Sequence, residues 1–335
     1  MRYLVTGATG FIGGHVARQL RQAGHEVVAL VRSPVRAASL RETGVELVSG
    51  DITAPETLRP PMAGVQGLFH LAAWYEVGAR DRSVAYAINV EGTRNVLEAA
   101  RSAGVSKVVY TSTLAVYGDT GGSPVDETYR MDGPWLSEYD RTKWLAHHRV
   151  AVPLIEEGLP LVIVQPGLVF GPGDHSNVGS VLRDYLRRRL PVTPWQGGCW
   201  TFVEDAARGH LLAMDRGRIG ECYNLAGPCL MWEQVLNEAR SITGIRPPWL
   251  VLPPPLARVA SWLMKPIAAF APVPSMYHPE TLRVAAGSRY FATDAKARRE
   301  LGWEPRPFRE GLEVTLAAER AALGIDTTMK TERNA

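Results

Sequence analysis

The sequence predicts an α/β fold in which a doubly wound parallel sheet is followed by a smaller, mainly helical C-terminal domain. Short apolar segments of strand type alternate with segments of helical period from residue 3 to residue 164. A glycine-rich turn joins the first of these strands to the first helix. Beyond residue 171 the periods are less regular, so the sheet is expected to lie mainly in the first half of the chain.

The first strand occupies residues 3–5 and is followed by glycines at a spacing of three. Residues without a Cβ allow a sharp turn from strand to helix, and such a turn presents backbone N–H groups to a pyrophosphate. The next helix ends at Gly24, and a second strand follows at residues 26–31. This order predicts a Rossmann-type dinucleotide site at Gly7, Gly10 and Gly13.

The end of the second strand contacts the adenosine ribose in this fold. An acidic residue there would bind the 2′-hydroxyl of NAD, whereas arginine accommodates the 2′-phosphate of NADP. Here Val31 stands where the acid is expected, and Arg32 and Arg36 follow it. The pattern favours NADP(H) over NAD(H), although an exposed loop arginine would give the same sequence.

The remaining elements of the sheet follow in order. Strands are predicted at residues 45–48, 68–71, 107–111 and 161–164, and helices at 55–62 and 89–100. His70 resembles a catalytic base, but a buried structural histidine is the preferred interpretation.

The chemistry is predicted at the carboxyl end of the fifth strand, where open α/β sheets bind ligands. Ser112 and Thr113 follow that strand, and Tyr139 and Lys143 lie one helical turn apart. A phenol is a poor acid at neutral pH unless a nearby ammonium stabilises its anion. These residues therefore predict proton transfer to or from a substrate oxygen, coupled to hydride transfer at the carbon that carries it.

Composition excludes several classes of protein. The chain has 335 residues, 46% of them hydrophobic, and a formal net charge of +3. No nucleic-acid module is found, and the three cysteines have no metal-ligand spacing, so reduced thiols in a cytoplasmic protein are expected. The apolar stretch 247–275 is interrupted by prolines and cations, so no integral membrane segment is predicted. It is interpreted as a lid over a substrate or, alternatively, as a surface lying against a membrane.

The motifs resemble those of the extended short-chain dehydrogenases/reductases, the NAD-dependent epimerase/dehydratase family. Residues 6–13 read T-G-A-T-G-F-I-G, residues 70–73 match H-x-A-A, and residues 166–173 resemble P-x-x-V-Y-G-P-G. The arginine that usually precedes the last motif is Gln165 here. The resemblance extends to about residue 323.

The family implies roles for individual residues. The catalytic residues are Tyr139, Lys143 and Thr113, with Ser112 as the alternative hydroxyl, and the substrate side includes Thr113, Tyr75 and Gly167. The cofactor residues it implies are Gly7, Thr9, Gly10, Phe11, Ile12, Arg32, Arg36, Asp51, Ile52, Leu71, Ala72, Ala73, Asn89, Thr111, Tyr139, Lys143, Pro166, Gly167 and Val169.

The family also implies a domain organisation and an assembly. Residues 1–170, with 200–228 returning to them, form the NADP-binding domain. Residues 171–199 and 229–323 bind a small-molecule substrate, and residues 324–335 form a tail. A homodimer is expected through residues 89–103 and 139–157.

Three functions remain open. The first is a reductase or dehydrogenase that acts on an apolar carbonyl compound or secondary alcohol, similar to dihydroflavonol reductases and 3β-hydroxysteroid dehydrogenases. Five tryptophans of the second half favour it, as residues of an aromatic pocket: Trp195, Trp200, Trp232, Trp249 and Trp262. The second is an NAD(P)-dependent nucleotide-sugar epimerase, suggested by similarity to hopanoid-associated sugar epimerases. The third is an inactive NADP-binding protein, disfavoured by Thr113, Tyr139 and Lys143.

Overall fold

The fold is taken from a computed structural model, which describes residues 1–75, 81–271, 273 and 277–325. Part of the predicted tail, residues 326–335, lies outside the described residues, as do 272, 274 and 275 of the apolar stretch.

The main element is a parallel sheet of seven strands in the order β3-β2-β1-β4-β5-β6-β9. The strands of the main sheet are β1 (Arg2–Thr6), β2 (Glu26–Val31), β3 (Glu46–Ser49), β4 (Gly67–His70), β5 (Lys107–Thr111), β6 (Leu161–Pro166) and β9 (Cys222–Leu225). The predicted doubly wound sheet is thus confirmed, with β9 as an additional edge strand.

Helices flank this sheet and continue into the second half of the chain. Those up to β6 are α1 (Phe11–Gln22), α2 (Ala38–Arg41), α3 (Arg59–Met62), α4 (Arg82–Tyr86), α5 (Thr93–Ser102), α6 (Glu138–Leu145) and α7 (Val152–Glu156). Those that follow are α8 (Asn177–Leu186), α9 (Val203–Arg216), α10 (Trp232–Thr243), α11 (Pro254–Phe270), α12 (Pro279–Val284) and α13 (Phe308–Ala322).

Both faces of the sheet are buried, because alternate residues of each strand pack against helices on opposite sides. Tyr3 and Val5 of β1 pack in one hydrophobic cluster, which includes Val16 of α1. Leu4, between them, packs in a second cluster with Leu97 of α5. Fully buried parallel strands explain the nearly continuous apolar runs in the sequence.

The strand order reverses at β1, which pairs with β2 on one side and β4 on the other. The crevice at such a reversal point, outside the carboxyl ends of the strands, is where ligands bind in this architecture. The glycine turn after β1 lies at this point.

The second half contains a small sheet that the sequence does not predict. Its strands are β7 (Leu168–Phe170), β8 (Trp195–Phe202), β10 (Cys229–Met231) and β11 (Ala286–Tyr290). The second half therefore contains this small sheet in addition to the expected helices. Strands of three residues, paired with segments distant in sequence, give no clear periodic signal.

The expectation of three reduced thiols is wrong for two of the cysteines, because the structure joins Cys199 and Cys229 in a disulfide. The antiparallel pairing of β8 with β10 places the two residues directly opposite each other. This register depends on the second sheet and is not visible in the sequence. Cys222 is free.

Two predicted helices contain π-helical turns, Ala87–Gly92 before α5 and Ala146–Ala151 after α6. Among the described residues, no helix combines the length and apolarity required to cross a membrane.

Candidate active site

The turn after β1 is held by close backbone contacts. Gly7 has a φ of +76°, and a Cβ on it would lie 2.6 Å from the amide nitrogen of Ala72. A Cβ on Gly13 would lie 2.1 Å from the carbonyl oxygen of Gly7. Two of the three predicted glycines are therefore required, Gly7 by its positive φ and the backbone after β4, and Gly13 by the packing of α1 on the turn.

A cavity of about 860 Å³ extends from this turn to the carboxyl ends of β5 and β6. Most of the predicted site residues line it: Gly7, Thr9, Gly10, Phe11, Ile12, Arg36, Leu71, Ala73, Tyr75, Thr111, Ser112, Thr113, Tyr139, Lys143, Pro166, Gly167 and Val169. The volume of the cavity suits an extended dinucleotide together with a small substrate. The backbone of the glycine turn, which forms part of the wall, suits the pyrophosphate of such a dinucleotide.

Five predicted cofactor residues are absent from the cavity wall that the described residues form. Arg32 and Arg36 are both exposed, and of the two Arg36 lies in the wall. Asp51 accepts a hydrogen bond from the backbone N–H of Thr53 at 2.9 Å, and Ile52 packs beneath Gly92.

The other two, Ala72 and Asn89, position their neighbours. Ala72 supports the glycine turn through its backbone. Asn89 accepts a hydrogen bond from the Trp74 N–H at 2.7 Å and donates one to Thr142 Oγ1 at 2.9 Å. It therefore ties the segment after β4 to the catalytic helix α6.

Tyr139 is half-buried in the wall of the cavity, beside Thr113 and Tyr75. The rings of Tyr139 and Tyr75 are nearly perpendicular, with centroids 4.8 Å apart. Burial is the main cause that raises the pKa of Tyr139, Tyr75 raises it further, and a hydrogen bond with Thr113 lowers it. Tyr75 is 47% exposed.

Lys143 lies one turn after Tyr139 on α6, as predicted, but its contacts differ from those expected. Its Nζ donates to the Thr111 carbonyl at 2.7 Å and to the Tyr110 hydroxyl at 3.2 Å. Burial lowers the pKa of Lys143 to about 7. The expected lowering of the Tyr139 pKa is therefore not seen in the protein alone, because burial of the phenol dominates.

The two candidate hydroxyls after β5 have different environments. The Ser112 hydroxyl hydrogen-bonds the Nδ1 of buried His147 at 2.8 Å, whereas the Thr113 side chain contacts Tyr139. Ser112 therefore has a structural partner in His147, whereas Thr113 remains the candidate for the catalytic hydroxyl.

The surroundings of His70 are those of a buried structural histidine. It is fully buried, and its ring nitrogens lie 2.7 Å from Thr6 Oγ1 and 3.1 Å from Thr93 Oγ1. Burial and then the positive charge of Lys143 lower its pKa to about 3. A neutral histidine joins β1, β4 and α5.

Several residues of the cavity were missed from the sequence. His15 and Arg18 lie near the glycine turn, and Arg18 follows Gly14 by one helical turn, a spacing that would have indicated its position. Asp174 follows the Gly-Pro-Gly segment and accepts a hydrogen bond from the backbone N–H of Ser176. Burial raises the Asp174 pKa.

A further missed contact supports the catalytic helix. The Tyr290 hydroxyl of β11 donates to Asp140 Oδ2 at 3.0 Å, next to Tyr139 in the sequence. Burial raises the pKa of Asp140 to about 6, against hydrogen bonds that lower it. The second sheet therefore helps to fix the start of α6.

The tryptophans of the second half do not form the aromatic pocket that the sequence suggested. None of the five lies in the cavity wall as the described residues define it. Trp200 and Trp232 pack in a separate core with α10 and α13, whereas Trp249 and Trp262 are exposed. The apolar side chains of the second half that do line the cavity are smaller, among them Leu168, Val178 and Val284.

Comparison with known sequences identifies the family of this chain. The chain belongs to the NAD dependent epimerase/dehydratase family, whose pattern matches residues 3–226. It is 34% identical to a putative dihydroflavonol 4-reductase of Synechocystis sp., over 92% of each chain. It is 33% identical to sterol demethylase protein B of Methylococcus capsulatus, over 92% of this chain and 95% of the relative.

Solved structures give the same result. The crystal structure of gox2253 is 36% identical with a TM-score of 0.83, covering 96% of this chain and 98% of that one. A nucleoside-diphosphate-sugar epimerase from Pseudomonas aeruginosa is 25% identical with a TM-score of 0.78, at the same coverage. The protein is thus an enzyme of the oxidoreductase and epimerase type, in a family that binds a nicotinamide cofactor.

Proposed function

We propose that the protein is an NADP(H)-dependent oxidoreductase that interconverts a carbonyl group and a secondary alcohol on a small, apolar substrate. The observation that carries this proposal is that Thr113 and Tyr139 line the same cavity as the glycine turn. Such a pair can hold a substrate oxygen and exchange a proton with it.

The cavity fits a dinucleotide. The turn at Gly7 and Gly10 leaves backbone N–H groups for a pyrophosphate at the start of α1, where the helix dipole also favours an anion. When bound, the nicotinamide cofactor supplies or accepts the hydride. His15, Arg18 and Arg36 give the adenosine end its basic side chains. The two arginines support NADP(H) as the preferred cofactor, with the exposed Arg32 as a further candidate.

The chain's own residues act on the substrate oxygen. Tyr139 donates its phenolic proton to the oxygen during reduction, and Thr113 holds that oxygen beside the phenol. Lys143 lies below them, in contact with the Thr111 carbonyl. In its charged form, Lys143 would help to hold a bound cofactor, and its positive charge would favour the phenolate of Tyr139.

Support for an apolar substrate comes from the cavity wall and from the relatives. Leu168, Val178 and Val284 line the cavity, and the names of two relatives refer to a dihydroflavonol and a sterol. We propose that residues 171–199 and 229–323 hold the substrate. A cytoplasmic location and a homodimer through residues 89–103 and 139–157 also belong to this proposal.

A second candidate is a nucleotide-sugar epimerase. It is favoured by the similarity to the epimerase structure from Pseudomonas aeruginosa. An epimerase returns the hydride to the same substrate, so the two functions differ in net consumption of cofactor.

The proposal is tested by following NADPH absorbance with a panel of apolar ketones, aldehydes, flavonoid-like compounds, steroids and nucleotide sugars. Net oxidation with an apolar carbonyl compound is expected, and Tyr139→Phe should abolish it while NADPH binding, measured by cofactor fluorescence, stays nearly unchanged. Conversion of a nucleotide sugar to its epimer without net oxidation would establish the second candidate. Equal turnover by Tyr139→Phe would remove Tyr139 from the mechanism.

A further inference from the structure

Helix α11 exposes an apolar face. Its most exposed side chains are aromatic: Trp262 is 68% exposed and Phe270 is 93% exposed. Leu256, Val259, Leu263 and Ile267 are also exposed on this helix. Trp249, before the helix, is 93% exposed. A contiguous apolar surface of this kind marks an interaction site rather than a normal solvated helix.

The orientation of α11 is fixed by its inner side. Ala257 and Ser261 are buried, and the Ser261 hydroxyl donates to the Pro279 carbonyl of α12 at 2.8 Å. Burying the apolar face against this domain would require α11 to leave α12. The exposed face is therefore a stable feature of the fold, and not a core face left open by a loose helix.

The charge around this face has one sign. From residue 239 to residue 279 the sequence contains Arg240, Arg246, Arg258 and Lys265 and no aspartate or glutamate. Arg258 and Lys265 are exposed and seven residues apart, so they lie on the same flank of α11, two turns from each other. Glu280, which ends this run, is buried and forms an ion pair with Arg82.

An apolar helix face flanked by cations fits an anionic lipid surface. A second copy of the chain fits less well, because a twofold contact through this face would bring the cations of both copies together without carboxylates from the same segment. Since no described helix is able to span a bilayer, α11 would lie in the plane of the interface.

We propose that α11 and Trp249 dock the enzyme on the surface of an anionic membrane. Trp249, Trp262 and Phe270 enter the headgroup boundary, and Arg258 and Lys265 contact lipid phosphates. Helix α11 lies near the cavity, because Val284 of α12 and Tyr290 of β11 line the cavity and both elements pack on α11. The lipid contact does not depend on the proposed function.

The test is co-sedimentation of the full chain with phosphatidylcholine vesicles, with and without phosphatidylglycerol at roughly a third of the lipid. Binding is expected to require the anionic lipid and to weaken with salt. The double variant W262E/F270E should lose roughly tenfold or more in partitioning. Neutralising both flank cations, R258Q/K265Q, should reduce binding to the anionic vesicles by about 30-fold.

Ile219→Glu is the matched control, because Ile219 is an exposed apolar residue in the loop between α9 and β9, outside α11. This variant should bind vesicles like the wild type. Retained NADPH binding and an unchanged thermal unfolding midpoint would show that each variant is folded.

The proposal is overturned if the wild type pellets with neither type of vesicle, or if W262E/F270E pellets like Ile219→Glu. It is also overturned if light scattering shows a dimer that W262E/F270E converts to a monomer while vesicles bind nothing, since the face would then belong to a second copy. NADPH turnover measured without vesicles tests the proposed function separately.

Discussion

Substitution of Gly13 by alanine is expected to disrupt both stability and cofactor binding, whereas the same change at Gly14 is not. A Cβ on Gly13 would lie 2.1 Å from the Gly7 carbonyl oxygen and 2.7 Å from its carbonyl carbon. The blocking atoms belong to the backbone of the turn, so no side-chain rotation can relieve the overlap. Helix α1 would have to move away from β1 by about 1 Å to restore an ordinary contact.

The cost of this movement follows from what α1 buries. Val16, Ala17 and Leu20 are packed in the core on the same helix, and overpacking of this kind costs about 1–3 kcal/mol. At Gly14 the nearest atoms to a Cβ are the Ala8 carbonyl oxygen at 3.4 Å and the Arg18 guanidinium at 3.8 Å. Alanine inside a helix is favoured over glycine by about 1 kcal/mol. This gain applies at both positions, because Gly13 and Gly14 both lie inside α1. The two variants should therefore differ in unfolding free energy by about 1–3 kcal/mol.

Urea unfolding followed by tryptophan fluorescence measures this difference, and NADPH fluorescence titration measures cofactor affinity. Gly13→Ala should unfold at lower urea and bind NADPH weakly, because the turn that presents its backbone N–H groups is displaced. Gly14→Ala should unfold at the wild-type concentration or above it. Equal midpoints for the two variants would refute the view that close packing of α1 on the turn holds the cofactor site.

Three further predictions concern individual side chains. Arg36→Gln should weaken NADPH binding by roughly 10-fold or more, with little effect on NADH binding. If Arg32→Gln showed this loss and Arg36→Gln did not, Arg32 would be the residue that binds the 2′-phosphate. Thr113→Val should reduce kcat by about 100-fold at unchanged stability. Ser112→Ala should instead lower the unfolding midpoint, with a smaller effect on kcat. If Ser112→Ala lost kcat and Thr113→Val lost stability, Ser112 would be the catalytic hydroxyl. Burial lowers the Lys143 pKa from 10.5 to about 7. Between pH 7 and pH 10.5 the unfolded chain therefore binds more protons than the folded chain. The stability of the cofactor-free protein should therefore rise with pH above 7, by up to about 1.4 kcal/mol per pH unit. Lys143→Met should lack this rise, and parallel urea midpoints for the two proteins from pH 7 to pH 9 would contradict it.

The sheet could be predicted because its signals are local. Each buried parallel strand is a short apolar run, and the glycines at 7, 10 and 13 mark a turn that tolerates little else. The family motifs then identified the short-chain dehydrogenase/reductase superfamily. The small second sheet could not be predicted, because β7 and β10 have three residues each and pair with distant β8. The Cys199–Cys229 disulfide depends on the same pairing.

The positions of the candidate catalytic residues could be predicted from their spacing, but their electrostatics could not. The four-residue interval between Tyr139 and Lys143 places both on one face of α6, as the structure has it. The contact of Lys143 with the Thr111 carbonyl depends on how α6 packs on β5, which no local pattern encodes. The same is true of the hydrogen bond between Tyr290 and Asp140, residues 150 positions apart.

The most direct test of the proposed reaction uses NADPH that carries deuterium at the reactive carbon of its nicotinamide, together with an apolar ketone that the absorbance panel identifies as a substrate. We expect one deuterium on the alcohol carbon of each product molecule and one NADPH consumed per product. Tyr139→Phe should slow this transfer by about 10²–10⁴-fold at nearly unchanged NADPH affinity. An alcohol product without deuterium would contradict direct hydride transfer from NADPH. Epimerisation of a nucleotide sugar with no NADPH consumed and no ketone reduced would contradict the proposed reductase function.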